Sequence, residues 1–437
     1  MKALALLLSA ASVWGAADDD PIAVLMRVRD RVMAHAERIP NHTCVETIVR
    51  DWYDLAAGPP PSSCDALLGR RKKAGVGTLL RLATTDRLRL DVALTETQEI
   101  YSWAGAARFE EGGIDRLVPT GAIGTGSFAA TLLSIFEARD PKFVYEGETT
   151  VESRRVMEYS FNVSEEQSHY QVKAGGAWLI TGYTGTLLAD PVTADLVRLS
   201  VRTEELPKAT NACEIDTTLN YGMLRIGSEE YLLPTLTRER FINQTGSEAE
   251  NAITFAACRE FRGESVVSFG GNVGTAEGKS RAAIAPVPPW DLPAGLPVMV
   301  ELTSTIQVDQ AAAGDRIRGR LAAPIRDARK EKILAPEGAA LEGRLMRVET
   351  RYGHPNDVSI ALRWETLEVD GVKAPFTIVP DWQTRAQTIR RPGELPQRPM
   401  VFELPRPGEG RYATLHFSSE HVVVNSGVRS PWFTSKP

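Results

Sequence analysis

Four cysteines and six histidines are few for 437 residues, and none falls into the HExxH or CxxC spacings that gather a metal ion. A GxSxG elbow, which would expose a serine nucleophile at a strand-to-helix turn, is also missing. Gly274–Ser280 (GTAEGKS) has the composition of a phosphate-cradling loop without its spacing: Val273 stands where the first glycine belongs, and the prolines from Pro286 onward forbid a long helix after it. Positive charge is not in excess. Lys plus Arg number 50 against 56 Asp plus Glu, a net charge of −6, so nothing is left over to neutralise a phosphate backbone and nucleic acid is not expected as a partner. Past its first residues the chain has no run of about 18 uninterrupted apolar residues, which argues against a transmembrane helix in the mature chain. No motif points to a catalytic residue, a metal site or a cofactor.

What the chain does have is 43% hydrophobic residues, 24% charged residues and 27 prolines, the balance of a globular protein with a buried core rather than a disordered chain or a coiled coil. Lys2, the apolar stretch Ala3–Val13 and the small residues Gly15 and Ala17 read as a signal peptide over residues 1–17, cleaved after Ala17 to leave Asp18, Asp19 and Asp20 as the mature start. The stretch is too short to cross a bilayer; an uncleaved anchor is the alternative. The expected location is periplasmic or secreted.

Export makes the cysteines disulfide candidates. Cys44 and Cys64 are close in sequence, with Gly58 and Pro59 to Pro61 bending the chain between them, and are expected to bridge. If the chain turns at Gly227 and near Gly246, a whole strand separates Cys213 from Cys258, roughly 10 Å from strand spacing alone. Those two are expected as buried thiols.

The expected fold class is mainly β: an N-terminal curved antiparallel half-barrel closed by amphipathic helices, followed by a small C-terminal β-barrel or sandwich. After Pro21, residues Ile22, Leu25, Val28, Val32, Ala36 and Ile39 recur at helical spacing up to Pro40. From Cys44 the period changes to two, with strands expected at Cys44–Tyr53, Leu79–Val92, Gln98–Phe109, Lys142–Gly147, Arg155–Val163, Ser168–Val172, Leu187–Ala189, Leu196–Arg202, Glu214–Ile226, Tyr231–Ile242 and Ala252–Phe261. Gly227–Ser228 and Asp190–Pro191 mark turns. Ser127 can cap a helix carrying Phe128, Leu132, Ile135 and Phe136 on one stripe. These features place one domain over 21–269, a Gly/Pro linker over 270–290 and a second domain over 291–437. In the second, Val298, Val300 and Leu302, and again Val358, Ile360, Leu362 and Trp364, alternate with residues expected on a wet face. Residues 381–410 read as an excursion, and His421–Val424 as a last strand.

Gly124, Gly126 and Ala129 spell part of a dinucleotide pattern, but no βαβ unit surrounds them and a glycine turn into a helix is the simpler expectation. His416 and His421, five apart on an extended strand, point to opposite faces and are not expected to share an ion. Aromatic residues concentrate in the first domain. They read either as core or as the lining of a cavity beneath the curved sheet, and the ligand-contact candidates among them are Trp103, Phe128, Phe136 and Tyr183. The cavity reading requires a sheet bent far enough to leave room that its own side chains do not fill.

The succession PNHTCVE (40–46), EIYSWAGAARF (99–109), GAIGTGSF (121–128), SHYQV (168–172) and GSEEYLLP (227–234), with Ala252–Phe261, resembles a group of uncharacterised exported bacterial proteins whose domain is similar to the periplasmic lipoprotein carrier family. That resemblance covers about residues 21–269 and implies a half-barrel with helices as a lid, accepting acyl chains inside. From Leu292 to Phe376, the segments LPAGLPVMVEL, AAAGDRIRGRL, LAPEGAALEGRL and VSIALRWETLEVDG are similar to the small β-barrel of the outer-membrane-complex components of type IV secretion machines, which implies fold and envelope location. The expected function is a non-enzymatic cell-envelope protein that binds a lipid or other apolar small molecule, with an envelope protein as partner of the second domain. Two alternatives stay open: a structural scaffold without ligand, and a secreted hydrolase using an acid pair assembled only in space.

Overall fold

The structure, a computed structural model, describes residues 20–260, 292–381 and 412–436, apart from 57, 75–79, 95–98, 111–112, 119–120, 125–134, 137–141, 169, 175–176 and 204–205. The signal peptide, the linker, nearly all of the 381–410 excursion, Ser127 and Phe128 lie outside the described residues.

The first helix, α1 (Pro21–Arg38), forms where the spacing places it. Asp20 accepts from the Ile22 N–H at its start, and Ile39 is extended ahead of Pro40. Its Val24, Val28 and Val32 are buried, each worth about 1.5 kcal/mol against a sheet. A second helix, α2 (Cys64–Ala74), was not legible as a periodic segment; Ser63 Oγ accepts from the Ala66 N–H at its start, and Arg71, Lys72 and Lys73 sit in its last turn, where the helix dipole favours cations. One turn, α3 (Ile114–Leu117), buries Ile114 and Leu117.

The first half is built from β1 (His42–Leu55), β2 (Leu80–Leu94), β3 (Glu99–Trp103), β4 (Lys142–Val151), β5 (Arg154–Val163), β6 (Gln171–Ala174), β7 (Ala177–Ile180), β8 (Tyr183–Ala189), β9 (Leu196–Thr203), β10 (Ala212–Ile226), β11 (Glu229–Asn243) and β12 (Glu248–Glu260). Apart from the separate β6–β7 hairpin, these pair antiparallel in the order β4-β5-β8-β9-β10-β11-β12-β1-β2-β3. Gly227 turns β10 into β11 as its position requires. The expected strand Gln98–Phe109 is shorter, because the chain turns at Ala104–Gly105 after Trp103.

Placing β1 between β12 and β2 corrects the cysteine assignment. Cys44 bridges Cys258, not Cys64, and Cys64 bridges Cys213, so no described cysteine is a thiol. β12 bulges at Ala257 (φ 49°) and Cys258, which brings Cys258 opposite Cys44 across the β1–β12 ladder. The strand-neighbour argument for Cys213 and Cys258 correctly kept those two apart; it missed that each finds its partner on an element far away in sequence.

The second half comprises β13 (Pro297–Leu302), β14 (Ile306–Gln307), β15 (Arg316–Leu321), β16 (Ile325–Arg326), β17 (Ile333–Ala335), β18 (Ala340–Arg351), β19 (Asp357–Val369), β20 (Val372–Pro375), β21 (Ile378–Pro380), β22 (Ala413–Ser418), β23 (Val423–Val424) and β24 (Arg429–Thr434). The strands wrap one apolar core around Trp364 and Trp432 without closing a barrel among the described residues. Val358, Ile360, Leu362 and Trp364 are buried as expected, yet Ser359 and Ala361 are buried too. The expected wet face of β19 is dry at these two positions, where Arg347, opposite Ala361 on β18, reaches across to donate to Thr414 Oγ1 on β22 at 3.2 Å, and is partly exposed at Arg363 and Glu365. The strand expected last is followed by β24, which carries Trp432 into the core.

The two halves share one sheet. The far edge of β2 pairs with β3 through Leu90–Leu94 and with β18 through Thr84–Asp86. Ala313 exchanges backbone hydrogen bonds with Arg87 and Arg89 at 2.8 and 2.7 Å, and Arg344 donates to the Ala104 and Gly314 carbonyls at 2.8 and 2.6 Å. Gly314 sits at φ 106°, where a Cβ would fall 2.0 Å from the Arg89 carbonyl oxygen. Gly314→Ala is expected to cost about 3 kcal/mol, combining left-handed strain with a backbone clash, read as a lowered midpoint in urea.

Candidate functional site

Side chains alternate along each strand, so one face of the first sheet collects every second residue. On β5 that face carries Tyr159 and Phe161, on β4 Phe143 and Tyr145, and on β8 Tyr183. Their rings form a row with Phe136: Phe136 to Phe143 at 5.9 Å, Phe143 to Phe161 at 5.8 Å, Phe161 to Tyr183 at 6.3 Å and Tyr183 to Tyr170 at 5.7 Å. Val24, Val28 and Val32 of α1 belong to the same cluster. Of the four ligand-contact candidates, Phe136 and Tyr183 therefore come together and are buried. Trp103 packs in a different cluster with Leu90 and Ala313, close to Gly314 of the second half. Phe128 lies outside the described residues. The rings themselves occupy this stretch of the inner face.

Open volume lies instead at the strand ends. A cleft of about 850 Å³ is lined by Leu68 of α2, the Cys64–Cys213 bridge, Leu206 and Ala212, with Arg202, Lys208, Asp65 and Glu214 around them. The bridge and the buried Arg71–Glu248 ion pair hold α2 as one wall. Leu206, Ala212 and Ile215 cluster with Phe241 and with Tyr170, so the cleft wall is continuous with the aromatic row. A second cleft, of about 500 Å³, lies where the halves meet and is lined by Arg89, Gln310, Asp315 and Arg316 among others.

Beyond Tyr170 the inner face changes character. The Tyr170 hydroxyl, hydrogen-bonded to Thr217, is pushed up by burial and then by Glu239. Glu239 shares its face of β11 with Phe241 and stands opposite Asn251 of β12. Asn251 donates to Glu239 Oε2 and to the Ala122 carbonyl, both at 3.2 Å, and the Gly124 N–H donates to the same carboxyl oxygen at 3.1 Å. A Cβ at Gly124 would lie 2.2 Å from Glu239 Oε1, so any side chain there would displace this carboxyl group. The glycine of the partial dinucleotide pattern thus serves a carboxylate contact; Gly126 and Ala129 lie outside the described residues.

Glu46 of β1 and Glu99 of β3 complete the group, with the Tyr101 hydroxyl donating to Glu99 Oε2. Burial, then Glu99 and Glu239, push Glu46 far above the usual carboxylate range. Burial pushes Glu239 up to about 7 against the opposing hydrogen bonds from Asn251 and Gly124. Nearby, Arg50 and Asp86 form a buried two-pronged pair, with Arg50 also 5.0 Å from the Trp52 ring. These carboxyls were not singled out in the sequence because they come from strands separated by up to two hundred residues. A signal existed in each strand: Glu46 alternates with Cys44 and Ile48, and Glu239 with Thr237 and Phe241, so each acid occupies an inward register position.

His416 Nδ1 lies 3.1 Å from Ser359 Oγ, while His421 is exposed and 3.9 Å from Asp309. Among the described residues no group of three or more His, Cys, Asp or Glu is arranged to hold a metal ion, and no helix is long and apolar enough to cross a membrane.

No family profile and no curated protein matches the chain. Two solved structures show partial likeness. A DUF1329 family protein from Desulfovibrio piger is 9% identical, with a TM-score of 0.26 over 55% of this chain and 94% of that one. A domain from Vibrio parahaemolyticus, described as an outer membrane lipoprotein-sorting protein domain, is 11% identical, with a TM-score of 0.26 over 54% of this chain and 91% of its own. At these values neither likeness decides what this chain binds.

Proposed function

We propose that the chain is a non-enzymatic binding protein of the cell envelope, periplasmic or secreted, that takes a lipid or other apolar molecule in the cleft beside Cys64–Cys213. In this reading the second half is an interaction module for an envelope protein, and Phe136 and Tyr183 belong to the packed aromatic row that backs the cleft wall through Tyr170. The observation that carries it is continuity. Leu206 and Ala212 line the cleft and cluster with Tyr170, whose ring touches Tyr183, from which the row runs to Phe136. A cleft of about 850 Å³ lies within the usual range of small-ligand pockets.

Full-length protein exported in a lipid-containing host and weighed by native mass spectrometry should carry bound species that solvent extraction releases as acyl-containing molecules. Leu206→Arg, which puts a charge on the apolar wall of the cleft, should lower occupancy at least about fivefold. A clean apo mass together with an empty extract removes the ligand and leaves the scaffold alternative.

A further inference from the structure

On β15 the outward positions are Arg316, Arg318 and Arg320, alternating with the buried Ile317, Gly319 and Leu321. Every second residue of a strand shares a face, so the three exposed arginines form a row with a step of about 6.7 Å. A second row crosses the first. Arg316 stands opposite Arg344 of β18, and Arg344 stands opposite Arg363 of β19. Like charges directly opposite one another destabilise a sheet, so the crossing costs stability in the isolated chain.

The acids beside these arginines are engaged. Glu301 of β13 accepts from Arg320 at 2.5 Å on one side and from Arg429 of β24 at 2.9 Å on the other. Glu365 pairs with Arg344 and Arg363 at 3.5 and 2.6 Å, and Glu342 pairs with Lys373. Among the described residues, Arg316 and Arg318 have no carboxylate within ion-pair distance: Arg316 donates to the Gly105 carbonyl, and Arg318 faces Glu342 across the ladder while Lys373 holds that acid. Cations therefore outnumber acids on this face, in a chain whose net charge is −6.

A strand that carries carboxylates fits the face. A guanidinium fork takes a carboxylate by two parallel bonds, and Glu301 and Glu365 show that arginines on this sheet take carboxylates from neighbouring strand positions. Acidic side chains at alternate residues of an extended segment repeat at the same step as the row. At its Arg316 end the row meets the cleft of about 500 Å³ between the halves, lined also by Arg89, Ser304 and Gln310, which gives such a segment room to continue. A bilayer is the poorer match. It imposes no such step, and surface binding adds inserted apolar side chains, whereas the large apolar residues exposed in the described second half, Ile333, Tyr352 and Val423, lie on none of β13, β15 or β24.

We propose that Arg316, Arg318 and Arg320 receive an extended acidic segment of a partner protein, with its carboxylates at every second residue; this rests on the interaction-module reading of the second half and names the partner's chemistry. The segment neutralises the two arginines that lack an acid and relieves the repulsion where the rows cross.

Fluorescence polarisation of a labelled peptide of about ten residues alternating Glu and Thr, titrated with the full chain, tests the assignment. At about 0.05 M salt it should bind at least about tenfold more tightly than the same peptide with Gln for Glu, and most of that margin should vanish at about 0.5 M. Arg318→Gln, which breaks no ion pair within the chain, should weaken binding about threefold. Equal binding of the Glu and Gln peptides, or binding of neither, overturns the inference, while native mass spectrometry of the cleft ligand decides the binding function separately. A peptide with the same glutamates gathered in one block that binds as tightly overturns the strand-spaced fit. Preference for phosphatidylglycerol vesicles over the peptide assigns the row to a membrane, and salt-sensitive self-association without peptide binding assigns it to a second copy; either overturns the partner proposed. Cross-linking of the second half to an envelope protein, with no binding of the acidic peptide, leaves the module standing and removes the charge assignment. Should the variant fail to fold, the peptide and salt series on the unmodified chain still decides.

Discussion

Serine at both Cys64 and Cys213 should lower the stability of the oxidised chain by about 2–5 kcal/mol, the range for a bridge that closes a long loop. The bridge spans 149 residues, from the first residue of α2 to the start of β10, so in the chain-entropy account its loss frees a large part of the unfolded ensemble. α2 would then be held to the sheet by the buried Leu67 and by Arg71, which donates to Glu248 Oε2 at 2.9 Å. Because α2 and the bridge both line the cleft, ligand occupancy should fall along with stability. Urea midpoints of the double serine variant and the parent, measured without reductant, read the first effect, and native mass spectrometry reads the second. An unchanged midpoint would mean that the two cysteines are not joined in the folded protein. Cys44→Ser with Cys258→Ser should cost a comparable amount, since that bridge spans 214 residues, but it should spare the cleft.

The second large effect is a dependence on pH set by Glu239. Burial raises its folded-state pKa from 4.5 to about 7. Below the unfolded value both states hold the proton and no penalty arises. Between 4.5 and about 7 the folded state keeps a proton that the unfolded state releases, so stability falls as pH rises through that window, and above it the full cost applies. The size is about 3 kcal/mol, from the span between the two values. Glu239→Gln keeps an acceptor for Gly124 and Asn251 without the charge. It should remove this part of the slope, gaining most over the parent near pH 8 and little near pH 4. Urea unfolding of both proteins at those two pH values gives the comparison; a variant that is no more stable at the higher pH would show that Glu239 ionises freely. Glu46 shifts in the same direction and should leave a residual slope in the variant.

Local pattern was informative wherever a property depends on neighbours in sequence. The helix over Pro21–Arg38 with Val28 and Val32 inward, the turn at Gly227 and the inward alternation of Val298, Val300 and Leu302 appear where periodicity places them, because φ/ψ geometry alone sets those repeats. Ile22 of the expected stripe is exposed, and Val24 is buried in its stead. The ligand-contact candidates were chosen as aromatic residues on or near the expected lid and curved sheet, and the fold then separated Trp103 from Phe136 and Tyr183. Residue type says nothing about which cluster an aromatic joins. The cysteine pairing went astray for a related reason: proximity along the chain was used where proximity across strands decides.

The sequence by itself determined that this is a mainly β protein opened by an amphipathic helix, with no surplus of basic charge and with aromatic residues concentrated in its first half. Each of these follows from composition or from a period of two or 3.6 residues. Only the tertiary structure decided that β1 lies between β12 and β2, that Cys44 meets Cys258, that β2 continues into β18 of the second half, and that Glu46, Glu99 and Glu239 share one buried face. Those outcomes depend on which distant strands pair and in what register. Backbone hydrogen bonding is the same for every partner, so the choice is made by how the whole set of inward side chains packs, which no local window contains.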